Sequence, residues 1–177
     1  AIVFYFMFAS YNGIINGVLI KMGLIEKAIE WFGNGTMAKI VIVLFCTWSG
    51  VGFYMVLFLS ALQSIPSDVY ESARVDGANA WQMFKFIQIP AIMLMVDFVL
   101  FDNIRGALQV FDIPFVMTSG GPGYASSTFT LYTIETAFSY SNFGLASTMA
   151  GAIMVMILVI YLVQNKIIHG IVLKGGK

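Results

Sequence analysis

Four polar side chains interrupt an apolar stretch at a spacing that suits one helix face: Asp102, Arg105, Gln109 and Asp112, at i, i+3, i+7 and i+10. Charges inside a bilayer span are costly and as a rule face a bundle interior or an aqueous cavity. Two uses of the set stay open. It can line a permeation path and hydrogen-bond a hydroxylated solute, or Asp102 and Arg105 can form an internal ion pair that only packs helices. Asp97 lies off this face, towards the start of the same stretch.

Covalent chemistry has little to work with. His169 is the sole histidine. A zinc site or a histidine-based nucleophile needs partners that the chain lacks, so an interfacial place at the end of an apolar run is expected for it. Gly120, Gly121 and Gly123 are followed by no Lys-Ser or Lys-Thr pair, and Pro122 removes an N–H. A Walker-type phosphate loop is thereby excluded. Gly175-Gly176-Lys177 opens no helix either, so ATP, if used, enters through another subunit. The single cysteine, Cys46, rules out an internal disulfide and a cysteine-rich metal site. A formal net charge of zero provides no basic field for nucleic acid. No catalytic residue, metal or cofactor is expected.

Composition defines the elements that carry these residues. Of 177 residues, 59% are hydrophobic and 10% charged, against about a quarter charged in soluble domains. An all-α, polytopic membrane protein follows. Residues 1–9 are too few to span a bilayer, which takes roughly 20, and are expected to be the end of a truncated span. Residues 10–36 are expected to be an external loop with an interfacial helix bearing Leu19, Met22, Ile25, Ile29 and Phe32. Complete spans are expected at 37–62, 91–117 and 145–168. Ser49, Gly50 and Gly52 in the first, and the Ala146/Ala150 and Ser147/Gly151 steps in the last, suit close helix packing. A turn-rich external loop is expected at 118–144, with a further short helix in 131–143, and a basic tail at 169–177. Arg74, Lys85, Lys166, Lys174 and Lys177 then share one side, and the excess of cations assigns it to the cytoplasm.

Residues 63–90 form the polar connection between two of these spans. Ser67 is suited to cap a helix that Asp68 and Glu71 favour electrostatically, with Glu71 and Arg74 spaced to pair. Gly77 is a stop signal, and Trp81, Phe84 and Ile87 mark one face of a second short helix, ahead of Pro90. Such a pair can lie on lipid or in a groove of a partner. Asp68, Glu71 and Asp76 against Arg74 and Lys85 leave a net charge of −1, which anionic lipid disfavours. A protein groove fits better.

Glu71-Ser72-Ala73-x-x-Asp76-Gly77-Ala78, eight residues, then Ile87-x-Ile89-Pro90 resembles the EAA motif of ABC-importer permeases, with Ser72 for Ala and Ile89 for Leu as mild departures. Leu62-Gln63-Ser64-Ile65-Pro66, Gln109-Val110-Phe111-Asp112 and Thr118-Ser119-Gly120-Gly121-Pro122-Gly123 resemble the carbohydrate-importer branch, in particular the larger permease of maltose-type systems. Asn16, Leu19, Gly23-Leu24 and Trp48 also fit. The resemblance implies a type I permease core in a bacterial or archaeal cell membrane. It further implies a second permease subunit, two cytoplasmic ATP-binding subunits and an extracellular or periplasmic solute-binding protein. Glu71, Ala73, Asp76, Gly77, Ala78, Ile87 and Pro90 would be the ATPase-coupling residues, and import by alternating access of a sugar, oligosaccharide or related polyol or glycerol phosphate the activity. Asp97, Asp102 and Arg105 are not part of that family pattern. An ion-coupled secondary carrier built on Asp102 and Arg105, and a membrane scaffold that recruits a cytoplasmic protein, are the competing functions.

Overall fold

Apolar residues dominate so strongly that backbone polar groups must be satisfied within each segment, and helices do this locally. The computed structural model describes residues 1–175, with side chains for residues 1–168, and among these there are helices and no strands. The side chain expected at His169 and the end of the basic tail lie outside the described residues. In chain order the helices are α1 (Ile2–Met7), α2 (Ile14–Lys21), α3 (Gly35–Gln63), α4 (Ser67–Val75) and α5 (Ala80–Met83). A π-helical turn (Phe84–Gln88) leads to α6 (Ile89–Ala91), α7 (Met93–Gln109), α8 (Asp112–Thr118), α9 (Phe129–Phe138) and α10 (Phe143–Gly175).

Among the described residues, two helices are long and apolar enough to cross a membrane: α3, and Phe143–Ile168 of α10. With 29 residues, α3 runs about 43 Å at ~1.5 Å per residue, beyond the roughly 30 Å hydrocarbon core. The segment Ala80–Ala91 and α7 qualify only as a pair, bent by 65°. The expected span over 91–117 is therefore corrected. α7 ends at Gln109, Val110 and Phe111 break the helix, and α8 starts at Asp112. The expected helix face through 19–32 is corrected too. α2 stops at Lys21, and Gly23 (φ 70) turns the chain away.

The chain divides into two compact units. The first comprises Ala1–Ser49 and Gly106–Ile153. Its core is Phe8, Val41, Ile42 and Met117, with Phe4, Ile15, Trp31 and Phe45 packed around them. Phe4 meets Phe45 edge-on at 5.1 Å, and Phe8 meets Trp31 edge-on at 5.3 Å. Buried Asn16 ties the irregular segment after α2 into this core. Its Nδ2 donates to the Ile29 carbonyl at 3.0 Å, and its Oδ1 accepts from the Ile29 N–H at 3.1 Å and from Trp31 Nε1 at 3.0 Å. A side amide thus replaces the helical partners that this segment forgoes, which is why no helix continues here.

The second unit comprises Gly50–Arg105 and the chain from Met154 onward. Here Gln164 Nε2, on α10, donates to both the carbonyl and Oδ1 of Asp97 on α7, at 2.7 and 2.6 Å. Phe101 and Tyr161 meet edge-on at 5.4 Å between the same helices. Gly52 faces open space.

Candidate functional site

The turn at 66–92 is built by local rules. α4 starts at Ser67, with Pro66 at the capping position and no side-chain cap. Ser67 is the first helical residue rather than the expected cap, because the rigid proline before it takes the extended conformation that a cap requires. Asp68 sits in the first turn, as expected. Glu71 and Arg74 do not pair: both side chains are exposed, where such pairs contribute little. Gly77, at φ 80, ends the helix. Its N–H donates to the Arg74 carbonyl at 3.0 Å, and the Ala78 N–H reaches back to the Ala73 carbonyl at 2.9 Å. This double closure is the Schellman arrangement that favours glycine.

Asn79 then opens α5 with a reciprocal cap. Its N–H donates to Gln82 Oε1 at 2.8 Å, and the Gln82 N–H donates to Asn79 Oδ1 at 2.9 Å. The sequence offered this signal as Asn-x-x-Gln, and it was missed. The Trp81 and Phe84 rings, expected on one face, are in contact at 5.6 Å. Pro90 has no N–H to give the carbonyl four residues back, and the helix widens to a π turn just before it and bends after it. α7 starts at Met93, three residues beyond Pro90, the expected entrance to a span.

Of the expected coupling residues, Glu71, Asp76, Gly77 and Pro90 are exposed, while Ala73, Ala78 and Ile87 are half-buried. The same short segment exposes large apolar side chains: Val75 at 87%, Trp81 at 69% and Phe86 at 67%. A polar turn that displays this much apolar surface presents a face for a partner.

The polar residues expected along a span divide. Asp102 and Arg105 lie on α7 within the second unit, and Arg105 Nη2 meets Asp102 Oδ1 at 2.6 Å. Tyr54, on α3, donates from its hydroxyl to Asp102 Oδ2 at 3.0 Å. Sequence reasoning missed Tyr54 because 48 residues separate the two. Gln164 escaped for the same reason. Gln109 closes α7 and Asp112 opens α8, both in the first unit. The single face expected from Asp102 to Asp112 is thus corrected: the break at Val110–Phe111 puts Asp112 on a different helix. Thr128 Oγ1 donates to the Val110 carbonyl at 2.6 Å, and Thr130 Oγ1 to the Leu108 carbonyl at 3.1 Å. Two hydroxyls therefore hold carbonyls at the break, where apolar surroundings would penalise orphans.

Beyond α9, the Tyr140 hydroxyl lies 3.0 Å from that of Tyr124. That hydrogen bond with Tyr124, reinforced by the nearby Glu135 carboxylate, pushes the Tyr140 phenol up to about 12. The Tyr140 phenol therefore stays neutral at physiological pH.

Residues 1–172 match the family model described as the binding-protein-dependent transport system inner membrane component. The chain belongs to this family. As a member of it, the chain is a multi-pass inner-membrane protein. It is 31% identical over 166 residues to the probable ABC transporter permease protein YurN of Bacillus subtilis, covering 94% of this chain and 57% of that one. It is 34% identical over 167 residues to the lactose transport system permease protein LacF of Rhizobium radiobacter, covering 93% and 56%. Both relatives are named as transport permeases rather than enzymes. A solved bacterial alginate ABC transporter, in complex with an alginate pentasaccharide-bound periplasmic protein, has a chain of the same fold. The match has a TM-score of 0.84 at 23% identity and covers 96% of this chain and 59% of that chain. The chain spans little more than half the length of these family members.

Proposed function

We propose that the chain forms part of the transmembrane permease subunit of an ATP-driven importer for carbohydrates. The observation that carries this is the exposed helix–turn–helix at 66–92. It combines a glycine-closed turn, a reciprocal cap and exposed Val75, Trp81 and Phe86 on an otherwise polar connection between spans. Amphipathic helices of this kind dock in grooves of partner proteins. Family membership and relatives such as the lactose permease support the transport class and the sugar.

In this proposal ATP hydrolysis belongs to two cytoplasmic subunits, one of which receives the turn. Glu71 and Asp76 offer exposed carboxylates to its groove, and Ala73 and Ala78 hold the corner closed. Gly77 provides the bend, while Ile87 and Pro90 join the turn to the span. Movement of the turn is transmitted through the bent helix to α7, so that access alternates between the two faces of the membrane. A second permease completes the pathway, and an external solute-binding protein delivers the sugar. Asp102 and Arg105 are proposed to face the route, and Gln109 and Asp112 to flank it at the helix break.

The test is affinity purification of the full-length protein from membranes. Recovery of an ATP-binding subunit that is lost in Glu71→Lys and Gly77→Pro variants, with membrane insertion intact, is the expected result. Retention of the same subunit by both variants would refute the coupling role of the turn.

A further inference from the structure

We propose that Tyr54, Asp102 and Arg105 form a charge-balanced selectivity element that passes neutral polyhydroxylated solutes and disfavours anionic ones. The inference rests on the permease function proposed above. Its basis is a geometry confined to the second unit. Asp102 Oδ1 accepts from Arg105 Nη2 at 2.6 Å, and Oδ2 accepts from the Tyr54 hydroxyl at 3.0 Å.

Within this chain the pair is open on one side. The Arg105 side chain is 44% exposed and that of Asp102 is 23% exposed. Exposure of such a pair to hydrocarbon is costly, so the open side suits water or a solute with hydrogen-bonding groups. Each carboxylate oxygen carries about two acceptor sites, and each is met here by one donor. Asp102 can therefore accept from a solute hydroxyl without releasing Tyr54 or Arg105. The Arg105 guanidinium, a donor-only group, stands beside it. A vicinal diol, which both donates and accepts, matches this alternation.

Charge decides between sugar classes. The ion pair sums to zero, so an anionic solute gains no net attraction to offset its dehydration, and it meets the Asp102 carboxylate beside the guanidinium. Tyr54 is a positioning residue. Its hydroxyl fixes the carboxylate in the orientation that also fits Arg105.

The test uses the full-length permease reconstituted with its second permease, ATP-binding subunits and one saturating solute-binding protein. Uptake of neutral disaccharides (maltose, lactose, trehalose) is compared with that of their uronic-acid counterparts. Because the binding protein is constant, any change in the acidic-to-neutral ratio of kcat/KM arises in the permease. Asp102→Asn is expected to raise that ratio at least tenfold and Arg105→Gln to lower it. Tyr54→Phe should raise KM for the neutral sugar several-fold, with kcat little changed. If Asp102→Asn fails to assemble, the double variant Asp102→Asn/Arg105→Gln, which removes both charges, should assemble and transport neutral sugar. Wild-type uptake with a ratio unmoved by either charge variant would overturn this inference and leave the permease function standing. A wild type that takes up no sugar of either kind would overturn both.

Discussion

The N–H of Ala78 donates to the carbonyl of Ala73 at 2.9 Å, across a corner in which Gly77 alone takes a left-handed backbone. A Cβ placed on Gly77 would meet nothing within 4 Å. The glycine is therefore required by backbone conformation and not by space. Gly77→Ala should cost about 1–2 kcal/mol, the usual penalty for an L-residue in this region. Gly77→Pro should be far worse, because proline cannot adopt positive φ and also deletes the N–H bonded to Arg74. ATP-driven uptake should then fall modestly in the first variant and be abolished in the second, at equal membrane levels. Equal uptake by the two would show that the corner is not held as described.

Asn16 concentrates four hydrogen bonds on one buried amide. Asn16→Leu would orphan the N–H and carbonyl of Ile29 and the indole N–H of Trp31, at about 1–3 kcal/mol for each group left unsatisfied. A markedly lower melting temperature in detergent is expected. Asn16→Asp keeps an acceptor for both N–H groups but cannot donate to Ile29, so its loss should be smaller. Trp31 fluorescence should report the change locally, and an unaltered melting curve for Asn16→Leu would contradict the assignment.

Thr128 and Thr130 differ in how many partners they serve. Thr128 donates to the Val110 carbonyl and also accepts from the Leu131 N–H, capping α9. Thr130 donates to Leu108 alone between these elements. Thr128→Val should therefore destabilise more than Thr130→Val, the latter by about 1 kcal/mol. Hydrogen exchange at the start of α8 should accelerate in the same order. The reverse order would mean that the break is held by other contacts.

Gln164 and Asp97 bridge α10 and α7 inside the apolar region. A double-mutant cycle of Gln164→Leu and Asp97→Leu should give a favourable coupling of roughly 0.6–1.7 kcal/mol, the range for such bonds in membrane helices. Thermal unfolding of the four proteins in nanodiscs measures it, and a coupling of zero would remove the bridge from the account of stability.

What the sequence reveals here follows the range of the interaction. The long apolar helices over 37–62 and 145–168 were legible because apolar length alone specifies them. The stop at Gly77 was legible because it is local, as was the Trp81–Phe84 contact. The break at Val110–Phe111 was not, since its surroundings are apolar and the hydroxyls that hold its carbonyls come from Thr128 and Thr130. Asn16 stood out as polar, but its hold on Ile29 and Trp31 replaced a helix that spacing alone favoured. The polar partners of Asp102 and Asp97, Tyr54 and Gln164, lie 48 and 67 positions away. No periodicity connects residues so far apart.

The π turn at Phe84–Gln88 has a consequence for how this segment tolerates change in length. A π turn holds one residue more than an α turn, and each residue in an α-helix advances the chain by about 100°. Deleting one residue from this stretch would restore ordinary winding and swing Trp81 and the corner at Gly77 around the helix axis relative to α7. The eight residues between Ala78 and Ile87 thus act as an angular phase, aiming the apolar face of the turn as a key is cut to meet its lock at one rotation. Substitutions here should be tolerated far more readily than insertions or deletions.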